Sequence, residues 1–165
     1  MSFKLYKNGN RQSGFTLIEL FVVIVIIGIL VTLVAMTFNG VQAKNRNGQR
    51  KVDIDTIQGE MESYYAQYSV YPTLANLNSP SWLAKNISDL PTGDLKDPHW
   101  STKTKNCEED GHSILINKVA TNCFAYQPVS TDGSVCDNVH KACAHYTLTA
   151  VLEGGGVKYV KSSLN

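Results

Sequence analysis

Residues 13–38 read SGFTLIELFVVIVIIGILVTLVAMTF, and the rest of the chain is organised around this stretch. From Leu20 to Phe38 there are nineteen positions without a charge, and only Gly28, Thr32 and Thr37 are not apolar. As a helix, a run of that length rises about 28 Å, close to the roughly 30 Å hydrocarbon core of a bilayer. It is apolar on every side rather than along one stripe, so it does not suit a helix laid on a soluble core. A cleaved secretory signal has a shorter apolar core, roughly 7–15 residues. Val41-Gln42-Ala43 offers the small residue that such cleavage favours, but the length speaks for a retained membrane helix.

Charge follows the same division. The chain has 165 residues, with 15 Lys+Arg against 14 Asp+Glu, and only Lys4, Lys7, Arg11 and Glu19 fall before residue 44. A net charge of +1 supplies no field for a dedicated nucleic-acid binder. Lys4, Lys7 and Arg11 precede the apolar run, whereas Lys44, Arg46, Arg50 and Lys51 follow it, so positive charge alone does not choose an orientation. Glu19 is the informative residue. A carboxylate at membrane depth is costly unless paired or protonated, and it marks function unless it merely reaches back to the interface.

The residues Ser13-Gly14-Phe15-Thr16-Leu17-Ile18-Glu19, leading straight into the apolar run, resemble the class III signal of type IV pilins and pseudopilins. That family has a short basic leader ending in Gly, then Phe-Thr-Leu-Ile-Glu and about twenty apolar residues. The resemblance is close over residues 1–43 and only one of layout beyond them. It implies that a prepilin peptidase cuts Gly14–Phe15 on the cytoplasmic side and that the new Phe15 amine is methylated. It also implies that the Glu19 carboxylate pairs with the Phe15 amine of a neighbouring subunit. In an apolar setting such a pair gains heavily from opposite charge and sets axial register. Gly28 matches a recurrent family glycine. The chain departs from the family at position 36, which is Met where many members have proline. No proline occurs between Phe15 and Tyr71, so a bend would have to come from Gly28, Gly40 or Gly48.

The expected fold is α+β: a long N-terminal helix, membrane-spanning in its first half, packed by its second half on a small antiparallel sheet. The expected divisions are a leader at 1–14, an assembly helix at 15–43, an amphipathic continuation at 44–69, a loop region at 70–112 and the sheet at 113–165. Ile54, Ile57, Met61, Tyr64, Tyr65 and Tyr68 recur at helical spacing and form a core stripe. Gln42–Lys51 is polar and basic with no stripe, which suits a segment bridging solvent, lying at lipid headgroups or touching filament neighbours. Val70-Tyr71-Pro72 ends the helix. The 72–112 loop carries Pro72, Pro80, Pro91 and Pro98, with Trp82 and Trp100 as anchors. Strands are expected at Ser113–Val119, Cys123–Val129, Ala144–Leu152 and Val157–Val160, with Ala120-Thr121-Asn122 as a hairpin connection.

Cys107, Cys123, Cys136 and Cys143 all lie beyond the apolar run; an even count on one side indicates disulfides and an exported domain. The N-terminus is therefore expected inside and the C-terminus outside. Cys136–Cys143 with Cys107–Cys123 is favoured, and Cys107–Cys136 with Cys123–Cys143 stays open. No CxxC spacing supports zinc, and His99, His112, His140 and His145 are scattered. Motifs of hydrolases, nucleotide binders and metalloproteases are absent from the sequence, so an enzyme is not expected. Glu108-Glu109-Asp110-Gly111 and Ser130-Thr131-Asp132-Gly133 read as turns. No cofactor is expected; calcium enters only because some pseudopilins bind it in a C-terminal loop, and the spaced oxygens it needs are missing here.

The leading expectation is a subunit of a type IV pilus-like filament, serving adhesion, twitching motility or DNA uptake. The alternative is the major pseudopilin of a type II secretion system; a further one is an anchored ligand-binding domain that never polymerises. The implied partners are identical or related subunits, the prepilin peptidase, an inner-membrane assembly platform and the bilayer, with DNA contact not indicated. The filament would be extracellular, or periplasmic for a pseudopilus. Losing residues 1–14 would leave 12 Lys+Arg against 14 Asp+Glu, a mildly acidic mature chain.

Overall fold

The computed structural model describes residues 14–99, 107 and 114–165, without the side chains of residues 35–37 and 39. The leader cations, Trp100, His112, Ser113 and the Glu108–Gly111 turn lie outside the described residues. The chain divides into two compact units, Met1–Gly40 and Val41–Asn165. Helix α1, Leu17–Tyr68, runs through both.

In the first unit the helix is apolar and uncovered. Its span Leu17–Val34 has a mean hydropathy of 3.2, and none of it is buried. Among the described residues, one helix is thus long and apolar enough to cross a membrane.

In the second unit, α1 turns amphipathic. Ile54, Ile57 and Met61 are wholly buried, and Tyr64 and Tyr65 pack beside them. Tyr68, the last residue of the expected stripe, is instead half exposed, with its ring 4.4 Å from that of Tyr64. It is the last residue of the helix. Ser69 follows in the left-handed conformation (φ 56°) and donates its N–H to Tyr65 O at 2.7 Å, closing the helix.

The expected loop at 72–112 contains two short helices, α2 (Leu74–Leu77) and α3 (Pro80–Asn86). Their signals are local: Thr73 and Ser79 cap them, and Pro80 takes the first helical position, where no N–H is needed. Leu77 and Leu83 are buried, and Trp82 packs with its ring 5.4 Å from Tyr64.

The sheet has four strands in the order β1 (Leu115–Ile116), β2 (Phe124–Val129), β3 (His145–Val151) and β4 (Lys158–Ser162). β2–β3 and β3–β4 are antiparallel, with Tyr126 opposite Leu148 and Leu148 opposite Lys161. The first strand corrects the expectation. β1 has two residues, not seven, and pairs with β2 in parallel, so Ala120–Asn122 is no hairpin and the sheet is mixed. The reason is the far edge of β1. The Asn78 carboxamide accepts the Ile114 and Leu115 N–H groups (3.1 and 3.0 Å) and donates to Leu115 O (2.9 Å). A side-chain amide at the end of α2 thus stands in for a neighbouring strand and holds the segment in that direction. Asn122, at φ 62°, then turns the chain into β2.

On β3, Tyr146, Leu148 and Ala150 are buried as their alternation predicts. The core beneath α1 is completed by Tyr71, Leu83, Leu95, Phe124 and Tyr126. The structure pairs Cys107 with Cys123 and Cys136 with Cys143. The second bridge closes a loop shaped by Asp137, whose carboxylate accepts the Val139, His140 and Lys141 N–H groups. These contacts hold the Asp137 carboxyl well below the usual carboxylate range, the His140 ring contributing most.

Candidate functional site

The N-terminal end of α1 is built by four consecutive residues. Thr16 precedes the first helical residue, and its carbonyl accepts the Leu20 N–H at 3.2 Å. Its hydroxyl accepts the Glu19 N–H (3.2 Å) while the Glu19 carboxylate accepts the Thr16 N–H (2.8 Å) and hydroxyl (2.9 Å). This reciprocal pattern is a capping box, satisfying donors that the first helical turn leaves unmatched. Thr16-x-x-Glu19 was visible in the sequence as a capping signature, although Glu19 alone drew the reading there. Glu19 therefore serves its own helix in the isolated chain, with both hydrogen bonds drawn from Thr16.

Around this cap the surface is apolar and uncovered. Phe15 is 92% exposed, Leu17 87% and Ile18 70%. Exposure continues along every face to Val34, Phe38 is exposed as well, and Leu30, Val31, Val34 and Phe38 border a shallow apolar groove. A continuous apolar surface of that kind is far larger than soluble monomers tolerate and requires lipid or other helices against it. Gly14 is described and exposed, and an added Cβ there would meet nothing within 4 Å. The structure brings Gly14, Phe15 and Glu19 to one end of the helix; it places the four cysteines elsewhere, in the second unit.

The basic segment after the apolar run departs from its expected role. Arg50 is wholly buried, donating Nε and Nη2 to the Asp97 carboxylate at 2.6 and 2.8 Å and Nη1 to Glu153 at 2.7 Å. Arg46 forks onto the same Glu153 at 2.8 and 2.5 Å. Asn47 exchanges two hydrogen bonds with the Glu153 backbone, at 3.0 and 2.9 Å. Arg46 and Arg50 are therefore not offered to lipid headgroups or to DNA; their partners are 47 and more than 100 residues away, which no local pattern could announce. The guanidinium groups, Arg46 foremost, pull the Glu153 carboxyl down to about 2. Asp53, buried one turn on, accepts a hydrogen bond from the Gln49 amide at 2.6 Å, and burial raises its carboxyl above the ordinary value. Lys44 and Lys51 stay exposed, the latter 5.7 Å above the Tyr159 ring.

A second polar hub sits under the sheet. The Glu62 carboxylate accepts the Tyr71 and Tyr146 hydroxyls at 2.8 and 3.0 Å and the Leu164 N–H at 3.2 Å. Burial, with Glu62 adding to it, pushes the Tyr71 hydroxyl up to about 12. Among the described residues, no group of three or more His, Cys, Asp or Glu is arranged to hold a metal ion.

The segment that carries the cap also carries a motif known from other proteins. Residues 9–35 match the model of the prokaryotic N-terminal methylation motif. Beyond the motif, the chain is similar to type II secretion system core protein G of Vibrio cholerae, 37% identical over 67 residues, which is 41% of this chain and 46% of the relative. It is also similar to core protein G of Pseudomonas aeruginosa, 35% identical over 102 residues, covering 62% of this chain and 63% of that protein. The type IV major pilin protein PilA of Myxococcus xanthus is 33% identical over 66 residues, 40% of this chain and 30% of that protein. The chain thus aligns with less than half the length of the first of these relatives. No solved structure matches it. The methylation motif and the capped, uncovered helix fall on the same residues.

Proposed function

We propose that the protein is a structural, non-enzymatic subunit of a pseudopilus, the filament of a type II secretion-type system. The observation behind this reading is the methylation motif running into a helix whose apolar surface is uncovered on every face. Most of the relatives reported by name are core protein G, which favours the secretion filament over the surface pilus expected first. In this reading the chain crosses the cytoplasmic membrane once, N-terminus in, with the disulfide-bonded unit outside. The prepilin peptidase cuts after Gly14, and the Phe15 amine is methylated. On assembly the apolar helices leave lipid for one another, and the Glu19 carboxylate exchanges its Thr16 donors for the Phe15 amine of a neighbour. The capping box keeps Glu19 hydrogen-bonded until that amine arrives, which lowers the cost of carrying a carboxylate at membrane depth. No cofactor is assigned.

Mass spectrometry of the native protein is expected to find an N-terminus at methylated Phe15. A mature chain starting at Met1, or one cut after Ala43, would remove the reading. A deletion strain separates the two filament classes: the pseudopilin reading expects lost export of folded proteins with surface fibres retained. The PilA likeness keeps the pilus as the second reading, and the reverse phenotype would select it.

A further inference from the structure

Between Phe38 and Gln49, α1 has the poorest helix-forming composition of its length: Asn39, Gly40, Asn45, Asn47 and Gly48 fall within ten positions. Each costs about 0.5–1 kcal/mol relative to alanine in a helix interior. Val41 is 65% exposed, and Lys44 and Asn45 are exposed as well. Helix order should therefore be weakest just before Arg46. At Arg46 the situation reverses within one turn. Arg46, Asn47 and Arg50 present one face at i, i+1 and i+4, and that face is bonded to Glu153 from the β3–β4 connection and to Asp97 from the segment after α3. Two segments distant in sequence thus grip the helix through one continuous charged network. It straddles Gly48, so the last glycine of the weak stretch lies inside the grip.

We infer that Arg46, Asn47 and Arg50 form a stop in α1: loss of helical order entering from the N-terminal side halts at this network, and residues 50–68 keep their seat on the sheet. A proline would set a bend at one fixed point, but this chain has none before Pro72. Here a weak stretch ends at a lock. Arginine suits the role, because it stays charged at every accessible pH and its planar fork holds a carboxylate in a fixed orientation. Asn47 adds direction, since its amide pairs with both backbone groups of Glu153 as a neighbouring strand would. The inference stands whether or not the chain polymerises.

Hydrogen exchange read by mass spectrometry on the full chain in detergent tests it. Peptides covering 38–45 are expected to exchange at least tenfold faster than peptides covering 50–60, with the step at Arg46–Asn47. Glu153→Gln should speed exchange at 46–53 by tenfold or more while peptides from β2 and β3 keep their protection. Asn47→Ala, which leaves all four charges in place, should move the same region in the same direction. A smooth gradient from 38 to 60 in the wild type overturns the stop. So does a Glu153→Gln chain whose 46–53 peptides stay within twofold of wild type. If both variants lose protection uniformly across 41–165, the network holds the fold rather than the helix end, and the inference is again overturned.

Discussion

Replacing Asp97 by asparagine isolates the strongest contact in the network. The carboxylate makes two bonds to Arg50, at 2.6 and 2.8 Å, and accepts the His99 N–H at 2.8 Å; both side chains of the ion pair are inaccessible to solvent. Removing one partner of a buried pair typically costs 3–5 kcal/mol, because the other charge is left without compensation. Two features reduce the loss here. Arg50 keeps Glu153 at 2.7 Å and Asn47 at 2.8 Å, and the asparagine carbonyl can still accept one of the bonds. A loss near the low end, about 3 kcal/mol, follows. In equilibrium terms that is a factor of about 150, since each 1.4 kcal/mol is tenfold. With a urea dependence of about 1.5–2 kcal/mol per molar, the unfolding midpoint of the second unit should fall by about 1.5–2 M. The assay is urea unfolding of the full chain in detergent, followed by the fluorescence of Trp82, whose ring lies 5.4 Å from Tyr64 in the folded unit. Arg46→Ala is the internal comparison: it loses contacts to the same Glu153 but is partly solvated, so its loss should be clearly smaller. A midpoint shift below about 0.5 M for Asp97→Asn refutes the reasoning. An equal shift for the two variants does so as well, since it would mean that burial does not set the worth of these pairs.

Other outcomes follow from the same contacts. The Glu153 carboxyl is depressed to about 2 from its ordinary 4.5, so its stabilisation is present above pH 4.5 and is lost as pH falls toward 2. Stability measured across that window should therefore drop in the wild type and drop less in Glu153→Gln. Asp53 has the opposite sign: its raised carboxyl favours the neutral form in the folded chain, so stability declines as pH rises through its titration. Asp53→Asn should consequently match or exceed wild-type stability at pH 7, and a marked loss in thermal unfolding would contradict the burial argument. Thr16→Ala removes the capping hydroxyl yet leaves the Glu19 carboxylate, whereas Glu19→Leu removes the carboxylate and leaves the hydroxyl; sedimentation of assembled filaments should be retained in the first and lost in the second. Gly40→Ala adds a Cβ that meets nothing within 4 Å and should strengthen the helix by about 1 kcal/mol, seen as slower exchange at 38–45.

How much of this was legible beforehand differs by element. The amphipathic stripe at Ile54, Ile57 and Met61 and the alternation on β3 are periodic signals whose apolar faces are buried as expected, and the apolar run, a signal of length rather than period, is uncovered. The caps at Thr16, Thr73 and Ser79 are equally local, with donor and acceptor three residues apart. β1 was misread because its direction depends on Asn78, some 36 residues upstream, and a short apolar run looks the same whichever way it pairs. Arg46 and Arg50 were misread for a related reason. A basic helix face without an apolar stripe looks solvated unless its carboxylate partners are known to sit opposite.

The sequence by itself determined the long apolar helix and the methylation motif, because hydrophobic length and a contiguous motif need no distant partner. It also indicated an exported, disulfide-bonded unit. Only the tertiary structure decided which cations of residues 44–51 face solvent, which way β1 runs, and where α1 is gripped. Those outcomes rest on contacts spanning 36 to 107 residues, and their energy exists only once desolvation has brought the charges together.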